Sequence, residues 1–267
     1  MLGAPAVSTS RMMASLRRSH SVTRSRGLPL WRTSSGRAVR SEAIIREVLT
    51  AGAPSIGILG EEGGASGVIG GARWLVDPID GTVNFAHGLP LWAISIGLED
   101  EAGLAVGVVH APALRWECYA RRGGGAWLVE FGEAPQRLQV SRTAAFGEAL
   151  LVTGFPPDLA TNPNNNLDAW AHMYRHAGSC RRLGAASLDL CLVARGALDG
   201  YWETRLQPWD LAAGALIVQE AGGTVTDTRG GPFDPHHGEV VASNATLHGA
   251  IVAELAQVVA ARSAPHA

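Results

Sequence analysis

A chain of 267 residues with 46% hydrophobic and 17% charged content can build one large core or two packed ones, which excludes a disordered polymer. No apolar run approaches the ~18 residues of a membrane-crossing helix, and Cys118, Cys180 and Cys191 form no C-x-x-C pair, which argues against a disulfide framework or a zinc site and for a reducing, cytoplasmic setting. The net charge of −2 hides an asymmetry: residues 1–46 carry nine arginines against Glu42 alone, residues 47–267 sum to −10, and an acidic body suits cations better than nucleic acid.

Residues 1–36 read as an Arg/Ser-rich leader. "STSRMMASLRRSHSVTRSRG" has no acid and no secretory hydrophobic stretch, so an organelle-targeting peptide, a basic tail and a misassigned start would all look like this. From residue 37 the period becomes helical, with Val39, Ala43, Ile44, Val48 and Leu49 on one face and a stop at "GAP". "SIGILG" is a strand ending at Glu61-Glu62, and "ARWLVD" is a second one ending at Asp77. A meander follows in "LWAISIGL", "LAVGVVHA", "RWECYAR" and "AWLV".

After about residue 147 strands and helices alternate. "ALLVTGF", "CRRLG", "LDGYWE", "GTVTD" and "EVVASN" read as strands. "LDAWAHMYRHA", "ASLDLCLVARG", "WDLAAGALIVQEAGG" and "ATLHGAIVAELAQVVAA" read as helices. An antiparallel half, residues 37–146, followed by an α/β half, residues 147–262, predicts a layered α/β sandwich.

Carboxylates collect where elements end: Glu61-Glu62, Asp77 and Asp80 on either side of Pro78, and Asp210 opening a helix. Singly each has an ordinary explanation: a solvated strand end, a Pro-x-Asp-Gly turn, and an N-cap for the amides of Ala212 or Ala213. Together they suit hard divalent cations such as Mg²⁺, which take oxygen ligands. Two cations sharing one carboxylate can activate a water in phosphoryl hydrolysis. Gly81 and Thr82 would add backbone N–H groups and a hydroxyl beside them.

"GEE" at 60–62, "WLVDPIDGTVNF" at 74–85 and "WDLAAGALIVQEAGG" at 209–223 resemble the signature blocks of the inositol monophosphatase family of Mg²⁺-dependent phosphomonoesterases. The likeness runs more loosely from about Arg37 to Ala256, through "GVVHAP", "TGFP", "DGYWE" and "VVASN". It implies an αβαβα sandwich of the inositol monophosphatase and fructose-1,6-bisphosphatase type, two or three Mg²⁺ ions, a small phosphorylated substrate and a homodimer. Carried over by position, Glu61, Asp77 and the Ile79 carbonyl would bind one ion, and Asp77, Asp80 and Asp210 a second. Thr82 would orient the attacking water, with the Gly81 and Thr82 amides on phosphate oxygens. Glu62 would support its loop. Glu203 matches an acid that hydrogen-bonds substrate hydroxyls, and Gly184, Ala185 and Ala186 match the segment along the polyol side.

Two positions depart from the family pattern. The family aspartate that partners the motif threonine in activating water matches Gly36 in "TSSGRAV", and an upstream helix is replaced by the basic leader. Where the family has Ser or Thr, this chain has Ala185, with Ser187 two residues on. His236-His237 could bind a metal but reads better as a polar loop, His87 reads equally as a contact for an entering substrate or as surface, and Asp189 reads as structural.

The reading is a phosphatase for myo-inositol 1-phosphate that works by direct attack of water, without a phosphoenzyme. Histidinol phosphate is the alternative substrate. A catalytically impaired relative that binds a macromolecular partner, as some family members act on RNA-related machinery, is the alternative of another class.

Overall fold

A computed structural model describes residues 30–67, 71–156, 158, 160–163 and 165–263. Strand parity sets the architecture. On β9 (Leu150–Thr153) and β11 (Gly200–Thr204), Val152 and Tyr201 are buried on one side, and Leu151 and Trp202 on the other. A sheet apolar on both faces must be covered on both. Two layers of helix do this: α4 (Ala186–Ala194) and α5 (Pro208–Glu220) on the inner face, α3 (Leu167–His176) and α6 (His248–Ser263) on the outer. The sheet is completed by β10 (Ser179–Arg181), β12 (Gly223–Thr226) and β13 (Glu239–Asn244), in the order β10-β9-β11-β13-β12.

The other sheet has eight strands. They are β1 (Gly57–Gly60), β2 (Gly64–Ser66), β3 (Arg73–Asp80), β4 (Ala93–Asp100), β5 (Gly103–Ala111), β6 (Trp116–Arg121), β7 (Ala126–Glu130) and β8 (Gln136–Arg137). Their order is β2-β1-β3-β4-β5-β6-β7-β8, and only β1 and β3 pair in parallel. One face packs Trp74, Val76, Ile94, Ile96 and Val108 against Ile45 and Leu49 of α1 (Leu30–Gly52). The other face meets α4 and α5. The layers therefore run α-β-α-β-α, the expected sandwich.

α5 lies between the sheets because glycine lines its bed. A Cβ on Gly97 would sit 2.7 Å from the Ala212 Cβ, and one on Gly107 would sit 2.5 Å from the Ala213 carbonyl oxygen. Ser95 Oγ donates to the Trp209 carbonyl at 2.9 Å and holds the start of α5 to β4.

Two expectations change, and one strand is added. The segment assigned to a leader at 1–36 already contains helix, since α1 starts at Leu30; its residues 1–29 lie outside the described ones. The buried face of α1 is Ala38, Ser41, Glu42, Ile45 and Leu49, whereas Val39 is 53% exposed and Ala43 is also exposed. Apolarity misplaces the face because two of its members are polar and have partners inside. β2, too short and too small in its side chains to read as a strand, folds back on β1. None of the described helices is long and apolar enough to cross a membrane.

Gly107→Ala should cost about 1–3 kcal/mol, the usual range for overpacking a tight contact, and should lower activity by displacing α5. Urea unfolding followed by circular dichroism checks it, and an unchanged midpoint would show that the contact yields.

Candidate active site

β3 makes the central feature. It is buried along nearly its whole length, and on a regular strand residues three apart face opposite sides. Against β4, however, Asp77 pairs with Ser95 and Asp80 with Ala93, so three steps on β3 oppose two on β4. This extra residue is a bulge at Pro78, which has no N–H to give the ladder. The Asp77 carboxylate accepts from the Ile79 amide at 2.8 Å and braces the bend. Asp77 and Asp80, 3% and 7% exposed, are thereby gathered into one acidic cluster.

Asp80 is gripped by the N-terminus of α4. Its carboxylate accepts from the amides of Ala186 at 3.2 Å and Ser187 at 2.7 Å, and from the Ser187 hydroxyl. These donors and the Gly81 amide favour the ionised form against burial, which raises its pKa. Gly81 then turns the chain at φ 84°, and a Cβ there would meet the Leu91 carbonyl oxygen at 2.9 Å and the Ala185 Cβ at 3.0 Å. A short helix, α2 (Thr82–Ala86), follows, in which the exposed Thr82 donates its hydroxyl to the Ile79 carbonyl at 3.0 Å. Asn84 clamps this corner by donating to the Leu91 and Leu183 carbonyls, both at 2.7 Å.

Glu61 continues from β1, and its amide donates to the Val76 carbonyl at 3.1 Å. The support of its loop comes not from the Glu62 side chain, which is exposed, but from buried Glu42. The Glu42 carboxylate accepts from the amides of Glu62 at 2.8 Å and Gly63 at 2.9 Å, and pairs with Arg46 at 2.6 Å. A Cβ on Gly60 would lie 2.5 Å from Glu42 Oε1, so the "GEE" glycine is required by this anchor.

Asp210 is the third position of α5 rather than its N-cap. Gln207 is the cap, Pro208 begins the helix, and the Asp210 carboxylate accepts from the Gln207 amide at 2.8 Å. The expected bonds to Ala212 or Ala213 are replaced by this reach backwards. Ser95, the partner of Asp77 in the β-ladder, also holds Trp209, which brings Asp210 beside Asp77.

All four acids are raised, each of them first by burial. Asp77 is pushed well above the usual carboxylate range by burial and then by Asp80, Asp210 and Glu61, charges of a single sign. Asp210 is raised to about 8, first by burial and then by Asp80. Glu61, at the rim, is raised by desolvation, with Glu62 and Asp80 adding to it. A buried set of like charges is stable as anions only with a cation among them. These donors, together with the Ile79 carbonyl, are hard oxygens of the kind Mg²⁺ takes, so the residues fit such an ion.

Away from the cluster, Glu203 is buried on β11, where it accepts from the Tyr201 hydroxyl at 2.7 Å and is raised to about 7, chiefly by burial. A Cβ on Gly154 would collide with its carboxylate. Gly184 (φ 89°) and Ala185 (2% exposed) crowd Gly81, while Ala186 serves Asp80. Asp189 is 1% exposed, with Oδ1 unpartnered and Glu203 and Asp80 close enough to raise it further. His87 is exposed, and His236 joins a surface network with Glu99 at 3.0 Å and Arg73 at 2.8 Å.

Gly36 is exposed with nothing within 4 Å of an added Cβ, so an acid there would miss the site. The α1 residue buried beside the motif is Ala38, which packs with Ile79, Phe85 and Trp92. Sequence reading also passed over Glu42, Asn84, Ser187 as a ligand of Asp80, and Tyr201. The one available signal was Glu42, the lone acid of a basic segment.

The family model described as "Inositol monophosphatase family" matches residues 38–260. An inositol-1-monophosphatase of Rhizobium meliloti is 43% identical over 206 residues, 77% of this chain and 76% of that protein. Nus factor SuhB of Pseudomonas aeruginosa is 43% identical over 211 residues, 76% of this chain and 75% of that protein. The solved structure of inositol monophosphatase from Anabaena (Nostoc) sp. superposes with a TM-score of 0.83 at 32% identity, covering 93% of this chain and 94% of that one.

Glu203 yields a pH prediction. Its folded pKa of about 7 exceeds the ordinary 4.5, so the folded state binds its proton more tightly and stability falls as pH rises from 4.5 to 7. In metal-free protein, Glu203→Gln should remove a loss on the order of 3 kcal/mol across that window. Urea unfolding at stepped pH checks this. Parallel curves for the two proteins would refute it.

Proposed function

Because the chain belongs to the inositol monophosphatase family, we propose that its acidic cluster, loaded with Mg²⁺, hydrolyses the phosphate ester of myo-inositol 1-phosphate. The chain is a phosphoric monoester hydrolase; the substrate and the metal are the proposed part. The observation that carries the reading is the Pro78 bulge, which gathers Asp77 and Asp80 beside Glu61 and Asp210, a set of acids whose ionised forms a cation would stabilise.

In this reading Glu61, Asp77 and the Ile79 carbonyl would hold one Mg²⁺, and Asp77, Asp80 and Asp210 would hold a second. When bound, the ions neutralise the carboxylates, polarise the phosphate and make water a stronger nucleophile. The chain does the rest. The α4 amides and the Ser187 hydroxyl favour the ionised form of Asp80, and the Thr82 hydroxyl, placed by the Ile79 carbonyl, orients the incoming water. The Gly81 and Thr82 amides steady the phosphate oxygens. Water adds to phosphorus as the ester P–O bond breaks; the leaving alkoxide takes up the proton that the water gives up, yielding an alcohol and inorganic phosphate. Direct attack is supported by the shortage of free nucleophiles among the described residues: Ser187 is committed to Asp80, and all three cysteines are buried. Glu203, held by the Tyr201 hydroxyl, is the acceptor for substrate hydroxyls, and Gly184 and Ala185 line the polyol side by family likeness.

A homodimer is part of the proposal by family likeness. Histidinol phosphate is the runner-up substrate. A partner-binding role has in its favour the likeness to the protein named Nus factor SuhB and the apolar Ala38 beside Ile79.

Phosphate release from inositol 1-phosphate, histidinol phosphate, fructose 1,6-bisphosphate and a nucleotide 3′-phosphate, with and without Mg²⁺, decides among these. Mg²⁺-dependent turnover of the inositol ester, abolished in Asp77→Asn, is expected. A folded chain inert on all four would move the reading to partner binding. Ala38→Asp should raise turnover, up to the ~10²–10⁴-fold that a positioned general base contributes, whereas Gly36→Asp should leave it unchanged. The same assay with both variants checks this, and a gain from Gly36→Asp alone would show that position 36, not 38, reaches the site.

A further inference from the structure

On the outer face of the five-stranded sheet, α3 and α6 run antiparallel over Met173, Ile251, Leu255 and Val258. The Arg262–Asp168 ion pair, at 2.8 Å, joins one end of this helix pair. Along the same seam, His172 and His176 stand one turn apart on α3 opposite Glu254 of α6. One ligand atom from each of the three lies within 4.8 Å of the other two. Among the described residues this is the one group of three His, Cys, Asp or Glu side chains so closely drawn together.

We propose that His172, His176 and Glu254 form a second metal site, for a first-row transition ion such as Zn²⁺, that clips α3 to α6. The donor set decides the class of ion. Two imidazoles and one carboxylate suit Zn²⁺ and its neighbours, whereas Mg²⁺ prefers oxygen alone and belongs to the acidic cluster.

The tautomer of His176 is already set for binding. His176 Nδ1 lies 2.8 Å from the His172 carbonyl oxygen, which can only accept, so Nδ1 carries the proton and Nε2 presents its lone pair. His172 Nε2 lies 2.5 Å from Glu254 Oε2, so these two donors already converge on one point. In a tetrahedral site with bonds of about 2.0 Å, ligand atoms stand about 3.3 Å apart. The His172–Glu254 pair must therefore open slightly, and the exposed His176 ring must swing inwards. Both are side-chain motions at a half-exposed seam. The fourth position faces solvent and takes water. The imidazole proton between His172 and Glu254 leaves to solvent as the ion takes its place, and no electron is transferred.

The test is calorimetric titration of the full chain with Zn²⁺ in excess Mg²⁺, repeated on His176→Ala, Glu254→Gln and Asp77→Asn, with thermal unfolding beside it. One Zn²⁺ equivalent that persists in Asp77→Asn is expected. It should weaken about ten-fold or more in the other two variants, since losing even a supporting partner of a ligand costs 10–100-fold. Zn²⁺ should raise the unfolding temperature of the wild type and not that of His176→Ala. Equal uptake by wild type and His176→Ala, or uptake lost only in Asp77→Asn, would overturn the site.

Discussion

One backbone irregularity organises the active site. A strand cannot present side chains three residues apart on the same side, and the extra residue at Pro78 removes that restriction for Asp77 and Asp80. The cost is two buried carboxylates, and Asp80, Asp210 and Glu61 lie close enough to Asp77 to raise it further. Much of the surrounding structure manages that cost. α4 aims two amides and a hydroxyl at Asp80, Ile79 donates its amide to Asp77, and Gln207 donates its own to Asp210. What these dipoles leave uncompensated is what a divalent cation supplies.

Close approach is the second theme, and glycine permits it at each point. Gly97 and Gly107 let α5 settle on the first sheet, Gly81 lets the motif turn against Ala185, and Gly60 leaves room for Glu42 under the Glu61 loop. These are contacts with backbone, with an alanine methyl or with a buried charge, so an added methyl group has nowhere to go. The four acids come from three separate parts of the chain, and their relative positions depend on these small gaps.

The strands and helices of the sandwich were largely legible because apolar runs and Gly/Pro punctuation mark them directly. So were the acids of the cluster, since "DPIDGT" and "WDLAAG" carry recognisable spacing. What escaped was anything resting on partners distant in sequence. Glu42 reads as a solvent residue until its three partners are visible, which is why the α1 face was misplaced. Ser187 acts on Asp80 across 107 positions. Reading Asp210 as the cap places the helix start three residues too late, although Pro208 marks the first helical position in the sequence itself.

The bed that Gly97 and Gly107 make for α5 bears on biosynthesis. The ribosome delivers the meander about a hundred residues before Asp210, roughly 5–20 s earlier at ordinary elongation rates. During that interval the nascent sheet displays an uncovered apolar face and a cluster lacking one of its acids. A truncated product ending before α5 would therefore be both inert and prone to aggregate, and nascent chains at this stage are natural clients for a chaperone.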